Sequence, residues 1–149
     1  MIQEHKELLI KDICPRLPYG LVIDYNGIRT TLHDIKVFHL YNGSDDIKDY
    51  ICLIDVFGDD DYVDVENIKP YLFLLSSMTE EQKRFFNNLP IGIDKYGDIS
   101  TKDDLSGNSL YTDLELYLEV IDWLNANHFD YRGLIEKGLA IDATGLNIY

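Results

Sequence analysis

Near the end of the sequence, His128, Asp130, Tyr131 and Arg132 place four chemistry-bearing side chains within five positions. A histidine exchanges protons near neutral pH, an aspartate beside it can fix its orientation, and an arginine fork can clamp a carboxylate or a phosphate. That combination would suit a small hydrolase centred on His128 and Asp130, and the four residues form the chain's candidate ligand cluster. The structural account is simpler. Trp123, Phe129 and Tyr131 would pack together, Asp130 would cap a short helix around residues 131–137, and Arg132 would pair with a nearby acid. Aspartate is a favoured N-cap because its carboxylate accepts the orphan amides of the first turn. The structural account is preferred.

Carboxylates gather again at Asp59, Asp60, Asp61, Asp64 and Glu66, oxygens of the kind hard cations take. A calcium loop of the EF-hand type needs its ligands at fixed offsets around a glycine at the sixth position, and this stretch lacks that order. Asp94-Lys95-Tyr96-Gly97-Asp98 fails likewise, because Gly97 stands fourth and no Glu follows at the twelfth position. Both read as solvated acidic turns. His5, His33, His39 and His128 show no metal spacing on a helix, and neither Cys14 nor Cys52 lies in a C-x-x-C pair. The sequence contains no G-x-S-x-G, G-x-x-x-x-G-K or G-x-G-x-x-G pattern. Cys14 would sit at the negative end of a helix dipole, which raises a thiol's pKa and works against a nucleophile. No cofactor and no metal is expected, and the chain reads as a binding protein more than as an enzyme.

Charge narrows the partners. The 149 residues hold 27 acids against 13 Lys plus Arg, a net charge of −14. Direct binding to nucleic acid or to an anionic membrane depends on cationic contacts and is disfavoured. Eleven tyrosines do not make a base-stacking platform without interleaved Lys or Arg. The acids are uneven: residues 45–66 carry a local balance of −8 and residues 103–131 one of −7. Side by side, those segments would form one negative face able to steer a basic protein partner. Asp59, Asp60, Asp61, Asp64, Glu115, Glu119 and Asp122 are the residues expected to meet it.

Positioning these groups falls to a chain that can fold without staples. It is 46% hydrophobic, and a chain of this length buries roughly 70% of its unfolded surface. Two cysteines fit a reducing compartment, no apolar run reaches membrane length, and the first residues lack a signal-peptide pattern. The expectation is a soluble, cytoplasmic, single α+β domain over 1–149, with a soft boundary near 76–77 between a strand-rich and a helical half.

Its elements announce themselves unevenly. Residues 3–14 read as a short helix closed by Pro15. Residues 21–25 and 28–32 flank Asn26-Gly27, a pair suited to a type I′ hairpin turn. Residues 35–41, 50–57 and 62–65 supply three more strands, and 65–72 reads as a turn and exit of the kind seen in SH3-like barrels. Five short strands over about 21–65 predict a small antiparallel SH3-like barrel or bent sheet. Thr79 with Gln82, and Thr112 with Glu115, have capping-box spacing and predict helices over 79–89 and 112–127. The second is expected to bury Leu114, Tyr117, Leu118, Ile121 and Leu124, so that Leu118→Ala costs roughly 2–5 kcal/mol. Residues 91–109 read as loop with one hairpin, and 139–141 as extended.

Three groups of residues carry a resemblance. Leu17-Pro18-Tyr19-Gly20 follows the first helix, and Ile68-Lys69-Pro70-Tyr71-Leu72 shortly precedes Ser76-Ser77-Met78-Thr79-Glu80-Glu81. Trp123-Leu124-Asn125 then leads into His128-Phe129-Asp130-Tyr131-Arg132-Gly133-Leu134-Ile135 and Gly138-Leu139-Ala140. Together they resemble a family of small hypothetical proteins from gut Bacteroidetes and their phages or mobile elements. That family has no established activity, so the resemblance implies a cytoplasmic setting associated with a phage or mobile element and contributes no catalytic residue. The leading functional expectation is a non-catalytic acidic accessory protein acting by protein–protein binding. The alternatives are a nucleic-acid-mimicking inhibitor of a DNA-binding protein and the small hydrolase on His128 and Asp130.

Overall fold

Proline decides where the first helix stops. The computed structural model describes residues 1–40, 49–55, 62–87, 91–93, 99–101 and 110–149. Helix α1 spans Gln3–Ile13 and buries Leu9, Asp12 and Ile13. Pro15 has no N–H to extend the α-helical ladder, and the chain tightens into a 3-10 segment, Cys14–Tyr19, that ends on Gly20 at φ 69°. The expected helix is there, within a residue of its predicted end.

Strands β1 (Val22–Tyr25) and β2 (Ile28–Thr31) form the expected hairpin, with Tyr25 opposite Ile28. Asn26 at φ 53° and Gly27 at φ 83° take the two left-handed positions of the turn, and the Asp24 carboxylate accepts the Gly27 amide at 3.2 Å. Strands β3 (Asp34–Leu40), β4 (Asp49–Asp55) and β5 (Tyr62–Asp64) pair antiparallel in a second sheet. The class is α+β, as expected, but the SH3-like barrel is not what forms. Strand β6 (Ile68–Leu72), read from the sequence as an exit, takes the other edge of β1 and pairs in parallel with β9 (Ile141–Asp142). The result is an open mixed sheet ordered β2-β1-β6-β9, separate among the described residues from β3-β4-β5.

Helix α2 (Glu80–Asn87) begins as its capping box predicts. The Thr79 amide donates to Gln82 Oε1 at 2.8 Å, and the Gln82 amide donates to Thr79 Oγ1 at 3.2 Å. Strands β7 (Ile91–Ile93) and β8 (Ile99–Thr101) supply the hairpin expected within 91–109. Helix α3 (Leu110–Ala126) starts two residues ahead of Thr112, so that threonine lies inside the first turn and the second box does not open the helix.

The buried face of α3 is also rotated from expectation. Val120 and Leu124 are fully buried, Tyr117 and Ile121 pack at their flanks, and Leu118 stands 57% exposed. The burial predicted for Leu118 is therefore wrong. The short helix predicted over 131–137 is a set of turns instead, with Gly133 and Gly138 both at φ 69°. Two apolar clusters result: one around Leu9, Ile13, Ile23, Leu72 and Leu134 beneath the open sheet, the other around Met78, Val120, Leu124 and Phe129 beneath α3.

Candidate functional site

The candidate cluster begins where α3 ends. The His128 amide donates to Asn125 O at 3.1 Å and the Phe129 amide to Leu124 O at 3.0 Å. This pair of bonds is the Schellman stop, in which the residue just past the helix takes a left-handed conformation and is usually glycine. Here it is His128, at φ 56°. The apolar contact that accompanies such a stop is present: Trp123 stacks on Phe129, with centroids 5.6 Å apart and planes 12° from parallel. Phe129 then bridges to Phe73, whose backbone receives the Asp130 amide at 2.8 Å and donates to His128 O at 2.9 Å. His128 is thus pinned on both sides by main-chain bonds.

Most of the cluster's charge is used by the fold. The Asp130 carboxylate accepts the amides of Leu134 at 2.9 Å and Ile135 at 2.8 Å, holding the turns that replaced the predicted helix. Tyr131 donates its hydroxyl to Asn125 Oδ1 at 3.0 Å. Arg132 Nε lies 3.5 Å from Asp12 Oδ1, and its guanidinium covers the Tyr131 ring. The acid expected to pair with Arg132 is therefore Asp12, far away in sequence. Pairing of Arg132 with an acid follows the structural account, Asp130 holds turns where a helix to cap was expected, and no hydrogen bond joins His128 to Asp130 among the described residues.

Sequence reasoning passed over the centre of this network, Arg16. It is fully buried, as is Asp12, and its fork meets the carboxylate through Nε–Oδ2 at 2.9 Å and Nη2–Oδ1 at 3.0 Å. Nη2 also donates to Phe129 O at 2.8 Å and Nη1 to Leu124 O at 3.4 Å. One guanidinium therefore ties the first helix to the end of the last. Burial pushes the Asp12 carboxyl above its ordinary pKa, against the downward pull of Arg16. The i,i+4 spacing of Asp12 and Arg16 was the available signal, hidden by the proline between them.

Of the four, His128 is the member that lines a cleft. It is 5% exposed, lies flat on Tyr149 with centroids 3.9 Å apart, and leaves Nδ1 without a hydrogen-bond partner. Burial, and then the positive charge of Arg16, hold its pKa down at about 4 against a raising hydrogen bond with the Tyr19 backbone. The ring is neutral at pH 7. Tyr149 is fixed by its hydroxyl, which donates to Tyr71 O at 2.7 Å and accepts from the Val22 amide at 3.3 Å. Burial pushes that hydroxyl's pKa up to about 12. Together these residues border an open cleft of about 520 Å³ between the end of α3 and the start of α2.

The acidic residues expected to meet a partner are placed variously. Asp59, Asp60 and Asp61 lie outside the described residues, as does the side chain of Glu115. Asp64 is engaged, with Lys6 Nζ 3.1 Å from Oδ1 and the Glu66 amide on its carboxylate at 3.2 Å. Glu119 and Asp122 are exposed on α3 beside Leu118. Cys14 is exposed, and partial burial of its thiol raises the pKa, the opposite of an activated nucleophile. Among the described residues no group of three His, Cys, Asp or Glu is arranged to hold a metal ion, and no helix is long and apolar enough to cross a membrane. The chain matches no protein-family model, no curated protein and no solved structure.

Proposed function

We propose that the chain is an acidic, non-catalytic accessory protein that binds a basic protein partner, in the cytoplasm and in association with a phage or mobile element. The outer face of α3 carries this reading. Leu118 stands 57% exposed there, beside the exposed Glu119 and Asp122. An apolar side chain among acids is a surface that a partner combining Lys or Arg with apolar residues would cover, gaining both burial and charge complementarity. The net charge of −14 supplies a field that attracts such a partner from a distance. The fate of the candidate cluster supports the reading from the other side, since Asp130, Tyr131 and Arg132 are engaged in holding the fold. A hydrolase centred on His128 and Asp130 would need the two joined, and Asp130 is turned to the amides of Leu134 and Ile135.

The test is co-purification of the tagged chain from its native host, alongside a variant combining Leu118→Ser, Glu119→Gln and Asp122→Asn. A stoichiometric basic protein retained by the natural chain and lost by the variant supports the reading. Equal retention by both removes the α3 face from it. Thermal melts of the two chains are expected to agree within a few degrees, because exposed substitutions change stability by about 0.5 kcal/mol or less.

A further inference from the structure

We propose that the cleft between the end of α3 and the start of α2 binds an uncharged planar ring with a hydrogen-bonding edge. The first ground is its lining. Tyr19, Phe73, Phe129 and Tyr149 form its walls with His128, and Gln82 and Asn127 bring side-chain amides to it. Among the described residues that line it there is no Asp, Glu, Lys or Arg, in a chain where these types are 27% of the whole. A charged ligand would leave water here without a counter-charge to meet it, which is costly. Flat aromatic walls favour a flat guest, and about 520 Å³ falls within the range of small-molecule sites.

The second ground is His128 itself. Its backbone occupies a left-handed position at which glycine would carry no strain. Its side chain is 95% shielded and leaves Nδ1 unpaired, a combination native proteins rarely retain. Glycine would close the helix without either cost. His128 lines the cleft, and a guest whose edge drew the covered Nδ1 towards it would complete the ring's hydrogen bonding, while the neutral imidazole stayed uncharged beside an uncharged guest. This site is separate from the acidic face of α3 and does not depend on it.

The experiment is a titration of the aromatic-labelled protein with phenol and indole, followed by NMR, with benzoate and benzylammonium as charged counterparts. Saturable shifts at His128, Tyr149 and Tyr19 are expected with a neutral ring, and binding about tenfold weaker with the charged ones. His128→Asn keeps a residue that tolerates the left-handed backbone and is expected to weaken binding about tenfold, the worth of one ordinary hydrogen bond. Ala126 is exposed and lines the cleft, so Ala126→Phe is expected to block it while leaving the fold intact. N-acetyl-tryptophanamide distinguishes the source: tighter binding than indole assigns the ring to a peptide side chain, weaker binding to a free small molecule. Absence of saturable shifts with both neutral rings overturns the proposal, as does equal binding of a charged counterpart or of the Ala126→Phe variant.

Discussion

Arg16 is fully buried and meets one carboxylate and two carbonyls at once, which makes it the most consequential single residue of the described fold. Burying an ion pair is close to neutral for stability when both partners stay, and costly when one leaves. Arg16→Met is therefore expected to lose about 3–5 kcal/mol in chemical denaturation, because the buried Asp12 keeps only its longer contact with Arg132 and the carbonyls of Leu124 and Phe129 lose their donor. Asp12→Asn combined with Arg16→Met is expected to recover part of that loss. His128 makes the second prediction. Its pKa is about 4 in the fold and 6.5 as an ordinary histidine, so the unfolded chain takes up the proton first as pH falls. Stability is complete above pH 6.5 and declines towards pH 4, by at most about 3 kcal/mol and less to the extent that the cleft admits solvent. Unfolding measured at pH 7 and pH 5 is expected to show this decline in the natural chain and a smaller one in His128→Asn. The burial-raised pKa of Asp12 is common to both chains and does not enter the difference. The spacing of Asp12 and Arg16 was visible in the sequence, but the use of His128 in place of the usual helix-stopping glycine was not.

At the scale of elements, local chemistry was legible wherever it acts over a few residues. Asn26-Gly27 specified its turn, and Thr79 with Gln82 formed the reciprocal cap their spacing implies. Two features depended on distant contacts and were missed. Residues 68–72 looked like the exit from a barrel, yet Pro70 pairs opposite Ile23 of β1 and β9 pairs with only Tyr71 and Leu72, leaving room for a residue without an amide. Helix α3 is apolar over a wide arc, so Tyr117, Ile121 and Leu124 fit a face with Leu118 as well as one with Val120. Tertiary packing chose Val120. Leu124→Ala is accordingly expected to cost about 2–5 kcal/mol, and Leu118→Ala no more than about 0.5 kcal/mol. Urea titration of the two variants measures both, and a large loss at Leu118 would contradict the orientation of the helix.

At the scale of the whole molecule, three long-range ties join segments distant in sequence. Arg16 links the end of α1 to the end of α3, β6 pairs with β9, and the ring of Tyr149 lies on His128 and anchors to Tyr71. These ties were not legible, because all but the stack of Tyr149 on His128 join residues 70 or more positions apart, and the residue types alone do not specify a partner. The charge was legible at once. A net −14 drawn from 27 acids, with Glu119 and Asp122 exposed beside Leu118, is the basis for an electrostatically guided partner. Such guidance acts mainly on the association rate, and salt shortens its reach from about 30 Å at 0.01 M to about 3 Å at 1 M. The most direct measurement is the association rate constant with the co-purified basic partner across that range of ionic strength. The account predicts a fall of at least about tenfold, with a shallower dependence for Glu119→Gln combined with Asp122→Asn. A rate that stays level from low to high salt, in both the natural chain and the variant, would contradict it.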